Sequence, residues 1–318
     1  MAIPIWKDTY LDVTSYLTDG RASFTIKAGG TAIYTGTVTA DPDGNARIRL
    51  NDIVADYMPA AVLPAIADGL VPFRCLLTVT VEVPGMTTKT YTFVNDWSYD
   101  DSLDQSEAQL LNDPVRPLVD LRMPVLAVAN AEDYTIEYTY HSTSGTSSGD
   151  DVTDDENQAF GVTPEIYGGE PGTLEVNGLT YRVEDTCRRY ALYYVNAFGG
   201  WDSLLLREVC TLTDGIARHT HKREYDNSQA AARGTVNHAN SITRRWQFHT
   251  DTLTDDEASR MYHLLESTQV YLYDLLELTF TPLVLTGSEC VYKTYRNQGR
   301  KRATYVIDAE VARDFIRR

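Results

Sequence analysis

Apolar and polar residues alternate along most of this chain with the period of two that a β-strand imposes, and one stretch shows the pattern on both faces. Tyr190, Leu192 and Tyr194 alternate with Ala191, Tyr193 and Val195, so neither face is polar. Such a strand is covered on both sides and is expected to be central or packed, not an edge. Asn196 to Trp201 then supply a turn, with Gly199 and Gly200 expected to take the positive φ angles of a tight reversal. Ser203 to Leu206 run back, completing a hairpin.

Taken in order, residues 1–101 read as an N-terminal β-rich domain. Ala22 to Lys27 and Thr31 to Thr39 alternate. Asp41, Pro42, Asp43 and Gly44 form a turn in which proline presets φ and Asp-Gly accepts the left-handed position. Ala46 to Leu50 return as a strand, and Asn51 and Asp52 are expected to cap a short helix through Tyr57, ended at Pro59. Phe73 to Val83 and Lys89 to Val94 make a second pair joined at Pro84 and Gly85. Trp97 and Tyr99 close the domain as packing residues. Residues 102–117 are acidic and amide-rich, end in prolines, and read as a linker.

A second domain, 118–212, contains a strand at Tyr134 to Tyr140. A polar, negative stretch from His141 to Glu156 reads as an exposed loop. A further hairpin, Thr173 to Val176 and Leu179 to Val183, turns at Asn177 and Gly178, the strongest short-range hairpin signal. The region 213–318 opens with Arg218 to Ser241, a polar stretch rich in Arg, His and Asn that reads as an extended arm or a long hairpin pairing with a neighbour. Ile242 to His249 is a strand. Thr254 and Glu257 match a capping box ahead of a helix carrying Ala258, Met261, Tyr262 and Leu265 at helical spacing. Strands follow at Gln269 to Tyr273, Leu278 to Leu285, Cys290 to Tyr295 and Ala303 to Ala309, with Asn297 to Gly299 as a turn, so the region is expected to be α+β.

Charge sharpens this picture. The net charge is −17, yet residues 213–318 hold 15 Lys and Arg against 14 Asp and Glu, leaving 13 and 31 for residues 1–212. So acidic a front argues against nucleic-acid binding there. The 21 tyrosines against 8 phenylalanines fit strands half buried and half wet. Cys75, Cys187, Cys210 and Cys290 form no CxxC pair; they read as buried free thiols, with a Cys187–Cys210 bridge as the alternative. No secretory signal is visible, which points to synthesis and folding in a cytoplasm. The most apolar run, Met58 to Phe73, is interrupted by Pro59, Pro64, Pro72 and Asp68, so no membrane partner is expected.

Candidate chemistry is sparse. No Gly-x-Ser-x-Gly, phosphate loop, Gly-x-Gly-x-x-Gly or His-Glu-x-x-His is present, and no enzyme activity, catalytic residue, cofactor or assigned metal site is expected. His219 and His221 fall on one side of a strand and amount to half a metal site, with His238 and His249 near in sequence; a wet polar arm is the plainer reading. The acidic run Asp150 to Glu156 lacks the glycine and terminal glutamate of an EF-hand and reads as solvated. Lys293, Arg296, Arg300, Lys301 and Arg302 cluster on the last expected hairpin. Without interleaved stacking aromatics, contact with an acidic protein surface is the better reading than nucleic acid, and this chain carries such a surface itself. With His219, His221 and Arg223 they are the candidate intersubunit contacts. Trp201, at the hairpin turn, is the candidate receptor or glycan contact through stacking on a sugar ring.

Two resemblances follow. Tyr190, Leu192, Asn196 and Gly199 sit in a pattern that resembles the last two strands of a fibronectin type III or other immunoglobulin-like module, over roughly Pro124 to Cys210. More of the chain resembles the structural tail proteins of phages and prophages of gut Bacteroidota. The likeness rests on Tyr193 to Ser203, Thr250 to Glu257, Leu264 to Asp274 and Tyr292 to Asn297, and on Ile33 to Gly36, Pro42 to Gly44 and Ile48 to Asp52. It implies a virion subunit of the distal tail, baseplate or fibre-attachment region. Its partners would be copies of itself and other virion proteins. The expectation is thus a mainly β chain of linked β-sandwich modules, one immunoglobulin- or fibronectin type III-like, with a C-terminal α+β unit. A glycan-binding adhesin and a glycan hydrolase are the alternatives, the latter needing two carboxylates about 5–10 Å apart in a cleft.

Overall fold

The structure, a computed structural model, describes residues 3–5, 7–58, 70–72, 76–94, 110–113, 118–129, 133–153, 158–162, 169–222, 235–250, 253, 255–287, 304–312 and 315–317. It is mainly β, with several largely antiparallel sheets and two short α-helices. The N-terminal part runs β1 (Ile3–Pro4), β2 (Tyr10–Asp12), β3 (Arg21–Ala28), β4 (Thr31–Thr39), β5 (Arg47–Arg49), α1 (Leu50–Ala55), β6 (Leu70–Pro72), β7 (Leu76–Glu82) and β8 (Lys89–Val94). Five of these strands form a sheet in the order β1-β8-β7-β3-β4, while β2 pairs with β5.

Period-two alternation works here as expected. Ala22, Phe24 and Ile26 of β3 point inward and meet Val79, Val81, Phe93, Leu50 and Val54 in one core. The Asp41 turn forms around its own side chain: Oδ1 accepts the backbone N–H of Asp43 at 3.0 Å and of Asn45 at 2.8 Å, and Gly44 takes a φ of 82°. The expected helix cap does not form. Helix α1 starts earlier, at Leu50, with Arg49 at its N-cap position and no side-chain cap. Asn51 lies inside the first turn, its Oδ1 facing the Thr9 N–H instead. Trp97 and Tyr99 fall outside the described residues.

The middle of the chain adds β9 (Leu118–Asp120), β10 (Val125–Val128), β11 (Thr135–Ser142), β12 (Thr146–Val152), β13 (Gln158–Val162), β14 (Gly172–Val176) and β15 (Leu179–Glu184). One sheet has the order β12-β11-β14-β15-β9. Its β14–β15 hairpin turns at Asn177 and Gly178 with φ of 44° and 78°, both positive as a type I′ turn requires. The stretch expected as a loop is corrected: Thr146–Val152 pairs along Thr135–His141 as an edge strand. An edge strand needs backbone partners on one side only, so polarity on both faces did not prevent pairing. A small sheet, β10-β13-β6, joins Gln158–Phe160 to Leu70–Pro72, so pairing crosses the stretch expected to separate the first two domains.

The last third of the structure holds β16 (Tyr190–Val195), β17 (Trp201–Leu205), β18 (Thr211–Lys222), β19 (Thr235–His249), α2 (Asp255–Glu266), β20 (Val270–Asp274), β21 (Thr279–Leu285), β22 (Val306–Val311) and β23 (Phe315–Arg317). They form an eight-stranded sheet, β17-β16-β20-β21-β22-β19-β18, with β23 also on β19. Strand β16 lies between β17 and β20 and is buried on both faces, as its two-sided pattern requires. Ala191, Tyr193 and Val195 pack with Trp201, Leu205 and Tyr273 against Ile136, Tyr140, Leu174 and Val183 of the opposing sheet. Leu192 and Tyr194 pack on the other side with Trp246, Phe248, Met261 and Leu264, the last two from α2. At about 25 cal/mol per Å² of apolar area buried, each such side chain favours folding by about 2 kcal/mol.

The hairpin therefore closes a two-layer packing, but its third strand is Val270–Asp274, from beyond residue 212. An immunoglobulin-like module would draw that partner from within itself. The pairing also spans the boundary expected between 118–212 and 213–318.

Candidate functional site

The turn at the centre of the molecule is held by Asn196. Its Oδ1 accepts the backbone N–H groups of Phe198 and Gly200, each at 2.9 Å. Its Nδ2 donates to the Leu111 carbonyl at 2.9 Å and to Asp202 at 2.7 Å. Gly199 takes the positive φ of 85°. Gly200 does not: it is required because a Cβ there would strike the Leu111 carbonyl, so the expected role for this second glycine is corrected to close approach. Trp201, the expected glycan contact, is 1% exposed and lies in the core with its ring 5.7 Å from that of Tyr271. It offers no face to a sugar. The apolar surroundings of β17 outweigh the position of Trp201 beside a turn.

A second buried polar device lies at the end of β9. Asp120 accepts from Arg122 Nε at 2.7 Å and from the Thr186 backbone N–H at 3.0 Å and hydroxyl at 2.5 Å. Burial pushes this carboxyl up, but the bonds from Arg122 and Thr186 outweigh it and hold Asp120 below the usual carboxylate range. Tyr193 is fully buried and donates to the Pro124 carbonyl at 2.7 Å; burial pushes its hydroxyl well above the ordinary value. Both arrangements are satisfied bonds within the packing and present nothing to a ligand.

Surface chemistry concentrates on β18 and β19. The stretch expected as an arm or long hairpin is a hairpin, and it begins earlier, at Thr211. Strand β18 pairs with β19 on one side and with no described strand on the other, and all twelve of its residues are exposed. Leu212 (45% exposed) and Ile216 (53%) share a face with Ile242 and continue the apolar face of Trp246 outward. Asp214 on that face accepts from Arg244 Nε at 2.9 Å and Nη2 at 3.0 Å. Beyond Asn240, where β23 ends its pairing, the two strands run on with no further described strand beside them.

This part of the hairpin carries His219 and His221, two of the expected intersubunit contacts. A β-bulge between His219 and Thr220 leaves His238 without an opposite residue, since Ala239 faces His219 and Asn237 faces Thr220. The His238 ring centre lies 6.2 Å from that of His219 and 5.4 Å from that of His221. His249 is at the far end of β19, paired with Val306. As the side chains stand, no group of three His, Cys, Asp or Glu among the described residues converges on one metal position. Sequence spacing paired His219 with His221 but did not find the approach of His238, which depends on the register shift.

The remaining expected contacts, Lys293, Arg296, Arg300, Lys301, Arg302 and Arg223, lie outside the described residues, as do Thr254 of the capping box and the turn at Asn297 to Gly299. Cys187 and Cys210 are free thiols, so no bridge joins them. Cys187 is exposed rather than buried, and burial pushes the Cys210 thiol up to about 11, which keeps it unreactive at neutral pH. A cavity of about 30 Å³ between α2 and the β16–β17 hairpin is lined by Tyr194, Ser203, Glu257 and Met261, and has room for a water or two. Among the described residues no helix is long and apolar enough to cross a membrane. Compared with protein-family models, characterised proteins and solved structures, the chain matches none.

Proposed function

We propose that this chain is a non-enzymatic structural subunit of a bacteriophage virion, made in the host bacterial cytoplasm and built into the tail tip, baseplate or fibre-attachment region. It works through repeated contacts with copies of itself and with other virion proteins. The observation that carries this reading is the β18 edge: twelve exposed residues with no proline and with Leu212 and Ile216 on one face. Proteins that stay solitary blunt such edges with short strands, prolines, bulges or inward charges. From Thr211 to Arg218, short of the bulge at His219, the edge is free of proline and suits strand addition by a neighbour, in which main-chain bonds supply affinity and alternate side chains supply register. The contrast between a −18 front and a +1 C-terminal third adds an attraction between unlike regions of neighbouring copies. The resemblance to tail proteins supplies the setting in which such contacts repeat.

The alternative of glycan binding loses its named residue, because Trp201 is in the core. The test is the assembly state of the full-length chain by mass photometry at low and high salt, beside Ile216→Lys, which places a charge on the exposed edge. Fixed-number oligomers that Ile216→Lys shifts to smaller species are expected. A monomer under all conditions, or oligomers indifferent to the edge charge, would sink the reading.

A further inference from the structure

We propose that the tip of the β18–β19 ribbon is a binding site for one divalent transition-metal ion, with His219 and His221 of one strand and His238 of the other as its three ligands. Residues two apart on a strand point to the same side, which sets His219 and His221 together. An undisturbed ladder would alternate residues of β19 between faces; the bulge turns His238 toward the pair, as the ring distances of 5.4 and 6.2 Å record.

These spacings suit an ion. Two imidazoles bound at about 2.0–2.1 Å around a tetrahedral centre place their ring centres roughly 5–5.5 Å apart. The His221–His238 pair already stands at that separation, and the His219–His238 pair exceeds it by about 1 Å. All three residues are exposed, and a turn about the His219 side-chain torsions brings the third nitrogen in. Ser241 Oγ lies 3.3 Å from His219 Nε2, which leaves Nδ1 as the ligating nitrogen of that ring.

The donor set selects the class of ion. Three imidazoles without thiolate or carboxylate suit Zn(II), Co(II), Ni(II) or Cu(II) and not Mg(II) or Ca(II). A three-histidine set leaves a fourth position for water or for a donor from a neighbouring molecule. Bound metal would tie the two strands together beyond the last support from β23 and fix the register at the bulge.

The experiment uses the full-length chain with no affinity tag, titrated with Co(II) while the visible d–d absorption is recorded, and then with Zn(II) by calorimetry. One equivalent is expected, with Zn(II) displacing Co(II). His219→Gln, His221→Gln and His238→Gln should each weaken binding at least by the ~10–100-fold that loss of a mere outer-shell partner costs. His249→Gln, on the same strand but away from the tip, should leave it unchanged. Absence of a Co(II) spectrum together with absence of Zn(II) heat would overturn the site. So would binding that survives His238→Gln intact.

Discussion

Individual residues in this protein matter most where a buried polar group is fully satisfied. Asn196 makes four bonds at the central turn, and removing its amide orphans two backbone N–H groups and the Leu111 carbonyl. At about 1–3 kcal/mol for each buried group left unpaired, Asn196→Ala should cost at least about 3 kcal/mol, read as a fall in the denaturant midpoint. Gly200→Ala should cost about 1–3 kcal/mol by a different route, since its new methyl must push back the Leu111 backbone. Asp120 makes stability depend on acid. Its folded-state pKa lies below its unfolded value near 3.9, so the stabilisation is complete above that value and is lost as pH falls through the folded pKa. Stability measured below about pH 4 should therefore fall less steeply in Asp120→Asn, which should also be destabilised by about 3 kcal/mol at neutral pH, the scale for breaking a buried ion pair. The Asn and the two glycines were visible in the sequence as turn residues. Their separate tasks were not, because those depend on Leu111, far away in the chain.

At the scale of elements, local signals succeeded where local energetics decide. Asn177 and Gly178, Asp41 to Gly44, and Gly85 each take the positive or preset angles their residue types favour, and the flanking strands follow within a residue or two. Helix α2 begins at Asp255, next to the expected cap at Thr254; of the residues expected on its inner face Met261 is buried, but its partner in the core is Leu264 and not Leu265, and Tyr262 is exposed. Leu264→Ala, at a fully buried position, should lower stability by about 2–5 kcal/mol in chemical denaturation. Local signals failed for β12, whose polar composition resembles a loop, and left β18 open between an arm and a hairpin. Both are edge strands held by backbone pairing to a neighbour, a term that composition does not report. The bulge that admits His238 is another such case: it is a property of two strands in register and of neither strand alone.

At the scale of the whole molecule, the β16–β17 hairpin joins two cores, one on each face of a single strand. Residues 118–212 expressed alone should consequently fail to form a stable domain. Without Val270–Asp274 and α2, Leu192, Tyr194 and the open side of β16 would face water. Loss of dispersed amide NMR signals in that fragment, against a folded full-length chain, is the expected result; a well-dispersed spectrum would show that the sandwich stands by itself. By itself the sequence determined the mainly β character, the turns at Gly44, Gly85 and Asn177–Gly178, the central hairpin and the two-sided burial of β16, because alternation and turn chemistry act over a few residues. It also located both histidines of the His219–His221 pair. Only the tertiary structure decided that the hairpin pairs with residues 270–274, that Trp201 is core and not surface, that β6 joins β13, and that His238 comes to the pair. Each of these is a pairing between residues distant in the chain. Many registers satisfy the same local pattern, and the choice among them is made by how the assembled layers pack.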